Sequence, residues 1–284
     1  MSGWSSAPFP AERVLKAYLG LALIAIAALR PERAVPMAVC YLTALGLLIA
    51  LSKFGPQRSA FLRGLRIVFP LLLFSPLYTG TGLLSAAQSR WAFSAWLERW
   101  ETALFHGQPS MCLAQLVPCL WVSEALHAAY VSYYLLVAAL PLSLVLRRRE
   151  REAARAVGVL VLGFALCALC YIWLPVASPF FIYPPIGPPL SGGFFYGLAH
   201  GISNRGGVLG GAFPSSHAAL TVINLLLAFK LERRLFWWTL LPSILLLIAT
   251  VYCRYHYALD TIAGTALAIT IVAVVLRWER RAQR

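Results

Sequence analysis

The chain has 284 residues, of which 60% are hydrophobic and 12% charged, with a formal net charge of +14 and a mean hydropathy of +0.75. That balance lies outside the soluble globular range and points to a polytopic membrane protein. The Lys and Arg residues cluster at the ends of apolar runs and form no basic stripe interleaved with aromatics, which excludes a nucleic-acid partner.

At the N-terminus, Arg13 and Lys16 precede an apolar run to Leu29, an arrangement similar to a signal sequence. Another long apolar segment follows at once with no small-residue cleavage site before it, so a retained first helix is expected. Eight apolar segments of spanning length are expected in all: 14–29, 34–52, 61–77, 121–146, 155–175, 213–229, 235–253 and 257–276. With the N-terminus in the cytoplasm, 18 of the 24 Lys and Arg residues fall inside, leaving Arg30, Arg33, Arg90, Arg99, Arg205 and Arg254 outside. The asymmetry predicts that both termini are cytoplasmic.

Two long segments then face outward. In residues 78–120, Ser89-Arg-Trp-Ala-Phe-Ser-Ala-Trp-Leu-Glu-Arg-Trp places aromatics and Leu at helical spacing opposite Arg and Glu, as in an amphipathic helix lying in the membrane interface. Residues 178–212 are rich in Pro and Gly and do not span. The expected organisation of residues 1–284 is one integral membrane domain: N-terminal transmembrane helices over 1–77, the interfacial segment over 78–120, and a helical core over 121–277.

Most cysteines read as small hydrophobes, including the Cys167-Ala-Leu-Cys170 spacing inside an apolar run. Cys112 and Cys119 share the outer segment, and pairing and free thiols both stay open. Glu124-x-x-His127 has the spacing of half a carboxylate-bridged metal site, but it has no second copy. With Tyr130 and Tyr134 it reads as a polar stripe, either packing internally or contacting a headgroup. His106 and His200 read as structural residues. Gly201-Ile-Ser-Asn-Arg205-Gly-Gly is a candidate backbone cradle for phosphate, against the commoner reading of a turn.

Two motifs carry the chemistry. Gly210-Gly-Ala-Phe-Pro-Ser-Ser-His217 ends the long loop and opens a span, placing Ser215, Ser216 and His217 in a helical first turn that favours anions. Val251-Tyr-Cys-Arg254-Tyr-His256-Tyr-Ala-Leu-Asp260 holds the only aspartate of the chain at a membrane edge. If helical, it stacks Asp260 on His256 one turn apart.

Pro-Ser-Ser-His217, followed about forty residues later by His256 and Asp260, resembles the signature of the type 2 phosphatidic acid phosphatase superfamily of membrane phosphatases and phosphotransferases. Gly-Ala-Phe-Pro-Ser-Ser-His, Tyr-x-Arg-Tyr-His-Tyr-x-x-Asp and the segment from Glu124 to Tyr134 most resemble its inositol phosphorylceramide synthase branch, related to sphingomyelin synthases. The likeness covers about residues 100–277. It implies an all-α polytopic bundle of about eight transmembrane helices with a six-helix catalytic core. It further implies that His256 attacks phosphorus to form a phosphohistidine, Asp260 supports its ring, and His217 serves as acid and then base. Neither a metal nor an organic cofactor is implied. The partners implied are a phospholipid or lipid-phosphate substrate and the surrounding membrane lipids, with the active site extracytoplasmic and the oligomeric state left open.

The chain departs from the superfamily pattern at its cationic clamps. A Lys, six residues, then Arg-Pro occurs nowhere, and the counterpart Pro175-Val-Ala-Ser-Pro-Phe180 has no arginine. The Ser-Arg pair before the second histidine falls on Ala249 and Thr250. Arg254 and Arg205 are therefore candidate phosphate ligands beside Ser215 and Ser216, with Glu124, His127 and Tyr134 as candidate headgroup contacts. Three readings follow: a lipid phosphotransferase, a lipid phosphate phosphatase that accepts water, and a non-catalytic transporter or scaffold on the same fold.

Overall fold

The computed structural model describes residues 10–29, 34–53, 59–85 and 91–282, all organised as helices and their connections. Arg30, Arg33, Arg58, Arg90 and Arg284, which entered the expected topology, lie outside the described residues. The helices are α1 (Pro10–Leu29), α2 (Ala34–Ser52), α3 (Ala60–Leu72), α4 (Phe74–Ser85), α5 (Trp91–Phe105), α6 (Pro109–Leu116) and α7 (Leu120–Val131). They continue with α8 (Tyr133–Leu146), α9 (Glu150–Trp173), α10 (Pro179–Ile182), α11 (Phe194–Gly206), α12 (Ser216–Leu231), α13 (Arg233–Tyr252) and α14 (Ala258–Ala282).

All eight expected apolar segments are helical, as a chain without water to satisfy its backbone requires. Among the described residues, four stretches are long and apolar enough to cross a membrane: Ala60–Gly82, Glu150–Trp173, Arg233–Tyr252 and Ala258–Arg281. The pair α7 and α8, bent by 43° at Ser132, makes a fifth if counted as one span. Shorter apolar stretches cover Ala38–Leu51 and Ser216–Leu231. The architecture is a polytopic helical membrane bundle.

Its axis is α9, whose Ala153, Ala156, Val157, Leu160, Cys167 and Tyr171 are fully enclosed. Small residues on this helix let α1, α3, α4, α8, α12 and α14 pack around it. Cys167 is buried packing, and all six cysteines, Cys112 and Cys119 included, are free. The Pro- and Gly-rich loop expected over 178–212 contains the 13-residue helix α11.

The helix expected to lie in the interface is α5, and its two faces differ from the sequence reading. Trp96, Trp100 and Leu104 are exposed, while Ser94, Leu97 and Glu101 are buried against the bundle. Glu101 is therefore not part of a solvated polar face. Its two oxygens accept from the backbone N–H groups of Ala258 (3.1 Å) and Leu259 (3.0 Å). Asp260 accepts from the Tyr257 N–H at 2.9 Å. Two carboxylates thus satisfy the first amides of α14, which would otherwise be left without partners at its buried, positive end.

The start of α14 is seated on the start of α12. The Ser215 N–H donates to the Asp260 carbonyl at 3.0 Å. One turn along, a Cβ on Gly264 would lie 2.3 Å from the Ser215 carbonyl oxygen, so only glycine permits the approach.

Gly264→Ala should lower stability by about 1–3 kcal/mol, because the clash with backbone outweighs the better helix propensity of alanine. Thermal unfolding in detergent reads this, and an unchanged midpoint would refute the close seam. Glu101 supplies a pH test. Burial is the main cause that pushes its pKa up from the ordinary 4.5 to about 7, reinforced by Asp260 and Glu98 and opposed by the two amide bonds. The folded chain keeps a proton that the unfolded chain loses between these values, so stability should fall as pH rises from about 5 to 7 and flatten above. The window is worth up to ~3 kcal/mol. In Glu101→Gln this slope should disappear from the unfolding midpoints.

Candidate active site

Proline and serine shape the entry to α12. Ser215 is the N-cap, its hydroxyl accepting from the Ala218 N–H at 3.2 Å. The buried Tyr171 hydroxyl donates to the Pro214 carbonyl (2.9 Å) and accepts from the Ser216 N–H (3.1 Å). Two first-turn amides of α12 are thereby used by the protein itself, which leaves less of the helix end for an anion than the motif suggests. These bonds fix the backbone from which His217 projects.

The second motif is not helical throughout. The chain leaves α13 after Tyr252, turns through Arg254 with a left-handed φ of 63°, and starts α14 only at Ala258. His256 therefore lies in a bend rather than one helical turn below Asp260. It still reaches Asp260, its Nδ1 lying 3.5 Å from Oδ2, and it lies closer, 3.1 Å, to the Ala212 carbonyl. Both neighbours are acceptors, so both favour a proton on Nδ1. The other nitrogen, Nε2, is then the one with a free lone pair, and it faces His217 Nδ1 at 3.4 Å. His256 is 4% exposed and Asp260 0%.

Aromatic rings hold the pair. The His217 ring lies against Tyr133 at 4.3 Å and stacks on Tyr130 at 4.8 Å. Tyr130 in turn stacks on Tyr255 at 4.1 Å. The segment carrying Val176 and Ser178 forms the opposite support, with Val176 bridged to Gly211 and the Ser178 hydroxyl donating to the Tyr255 carbonyl at 2.6 Å. This is the stretch where an arginine would be expected from the family pattern, and it meets the site without one. Ser94 of α5 braces the same stretch by accepting from the Ala177 N–H at 3.0 Å.

His217 and His256 lie on the wall of a cavity of about 400 Å³. The rest of its lining comes from α3, α4, α7 to α11, the start of α12 and the loops between them, mostly apolar or aromatic, and includes Ser203, Ser216 and the half-exposed Tyr134. No Lys, Arg, Asp or Glu is among its lining residues.

Of the residues singled out from sequence, the structure thus brings together His217, His256, Asp260, Ser216 and Tyr134. Ser215 acts as a helix cap. Arg205 is exposed in the last turn of α11 and does not line the cavity. Arg254 does not line it either; the left-handed turn sends its guanidinium away from the histidines, where Nη1 donates to the Pro184 carbonyl. Glu124 caps a helix distant in sequence, accepting from the N–H groups of Phe195 (2.9 Å) and Tyr196 (2.8 Å). His127 is enclosed and its Nδ1 lies 2.7 Å from the Ser123 carbonyl. Neither lines the cavity, and of the three candidate headgroup contacts only Tyr134 does. Among the described residues, no three His, Cys, Asp or Glu group as a metal site would need.

Sequence reasoning missed Glu101, Ser94 and Tyr171, which set the positions of both motifs. The one available signal was the pair Glu98 and Glu101 in a helix otherwise rich in aromatics.

No curated protein and no solved structure matches the chain. A family model of the PAP2 superfamily matches residues 95–274, well over half of the chain and every helix that contributes to the site from α7 onward. The chain belongs to the PAP2 superfamily.

Proposed function

We propose that the protein is a membrane lipid phosphotransferase that moves a phospho-headgroup between lipids through a phosphohistidine. The observation that supports this most is the pairing of His256 Nε2 with His217 Nδ1 at 3.4 Å on the wall of a largely apolar cavity. A nucleophile and a proton carrier adjoin a chamber suited to hydrocarbon, within a superfamily of phosphoester chemistry.

In the first step His256 Nε2 attacks phosphorus, a P–N bond forms, and the P–O bond to the donor lipid breaks. His217 gives its proton to the departing alkoxide. The imidazolium is supported through Nδ1–H by Asp260 and the Ala212 carbonyl. In the second step His217 takes a proton from an acceptor hydroxyl, whose oxygen displaces His256 from phosphorus. Hydroxyls of Ser203, Ser216 and Tyr134 are donors to the phosphoryl oxygens, each worth about 3 kcal/mol when well placed.

Within the superfamily the reading places the chain beside the inositol phosphorylceramide and sphingomyelin synthases, on the wording of the two histidine motifs. The catalytic unit is residues 121–277, with 1–77 as added membrane helices and α5 of the 78–120 segment bracing it. The excess of Lys and Arg on one side supports cytoplasmic termini and an extracytoplasmic site.

The deciding assay incubates purified protein with labelled phospholipid, with and without inositol, ceramide or diacylglycerol. Label should move to a new lipid; label ending only in free phosphate would make the protein a phosphatase. His256→Ala should abolish turnover, and His217→Ala should lower it ~10²–10⁴-fold. Asp260→Asn should cost less, on the order of 10²-fold, since the Ala212 carbonyl still holds Nδ1–H. Wild-type turnover in His256→Ala would sink the phosphohistidine mechanism, and no turnover of any donor by the wild-type chain would favour the scaffold. For sidedness, a variant keeping only the exposed Cys119 should react with an impermeant maleimide on intact cells. Reaction only after permeabilisation would reverse the topology.

A further inference from the structure

Arg254 lines a second cavity of about 380 Å³, within the size range of small-molecule sites. This cavity lies on the other face of the turn that carries His256. Phe180 and Phe181 line both cavities, and Tyr255, between Arg254 and His256 in the chain, lines the first. Its polar lining comes from Arg254, His200, Asn204 and Tyr183, with Pro184 and Pro185 beside them.

The arginine is held there at a cost. Its backbone adopts a left-handed conformation that side-chain-bearing residues seldom take. The residue is 9% exposed, and the cavity it lines holds no Asp or Glu to pair with it. One nitrogen, Nη1, is used by the Pro184 carbonyl, while Nε has no hydrogen-bond partner. His200 lies on the same wall, its Nδ1 3.1 Å from the Tyr255 hydroxyl, and burial is the main cause that pushes its pKa down to about 4. It is therefore neutral at physiological pH and adds no competing charge. Arg254 lines a cavity whose lining contains no acid, and a guanidinium with an N–H that no protein group uses is suited to recognising oxyanions.

We infer that the Arg254 cavity is a second phosphate-binding site, separate from the His217–His256 cavity, in which the guanidinium holds a phosphate group. That group comes either from a lipid headgroup or from free phosphate. The site needs no phosphohistidine chemistry and stands whether or not His256 is a nucleophile.

The test measures equilibrium binding to the full chain in detergent, in a His256→Ala background that prevents consumption of the probes. The probes are orthophosphate and short-chain dihexanoyl phosphatidylglycerol. At least one should bind, and Arg254→Gln in that background should weaken it tenfold or more. Binding of orthophosphate alone identifies free phosphate as the occupant, and binding of the lipid alone identifies a headgroup. Arg254 also ties down the Pro184 turn, so a second pair of variants guards against misfolding. At the exposed position 204, Asn204→Asp should weaken binding several-fold and Asn204→Lys should tighten it. Binding of neither probe, or equal binding to the Arg254 and Asn204 variants, overturns the proposal. Residual turnover in His256→Ala would remove the proposed reaction while leaving the orthophosphate comparison, which involves no ester to cleave, intact.

Discussion

The site depends on one backbone seam, where the first turns of α12 and α14 meet. Ser215 donates to the carbonyl of Asp260, and Gly264 lets the two helices close to a distance that any side chain would prevent. His217 lies two residues beyond Ser215, and His256 four residues before Asp260. A contact made by backbone rather than flexible side chains therefore sets the spacing of the two imidazoles. Tyr171 ties the same seam to α9, the helix around which the bundle packs.

Two helix N-termini converge at this seam, and such ends are ordinarily attractive to anions. Here the protein consumes much of that capacity itself. Ser215 and Tyr171 engage the start of α12, and Glu101 and Asp260 the start of α14. The positive end of α14 is matched by built-in carboxylates, and the neighbouring cavity is lined without a fixed charge. In the proposed reaction, recognition of a phosphate there would fall to the imidazoles and hydroxyls, whose interactions strengthen in surroundings that exclude water.

The helix α5 links this interior to the exterior of the bundle. Its exposed Trp96, Trp100 and Leu104 present an aromatic and apolar surface, and its other face delivers Ser94 and Glu101 to the scaffold of the site. One short helix thereby joins that exposed surface to the geometry of the α14 first turn. Membership in the PAP2 superfamily accounts for phosphoester chemistry, while the absence of arginine from the Val176–Ser178 support sets this chain apart from the pattern expected of it.

The sequence by itself determined the class of the protein, the helical positions of its apolar segments and the two histidine motifs. Long apolar runs must satisfy their backbones internally whatever packs beside them, and a sole aspartate at a membrane edge stands out against any hydrocarbon background. What tertiary structure alone decided was the direction and employment of the other polar residues. Glu101 has the spacing of a solvated helix face, yet it caps a helix more than a hundred and fifty residues away in the chain. Glu124 has the look of a headgroup contact and caps α11 instead. Arg254 sits two residues from His256, but a single left-handed turn points it into a different cavity. Each of these outcomes depends on which helix end lies beside which side chain, a property of long-range packing that no local pattern of residues encodes.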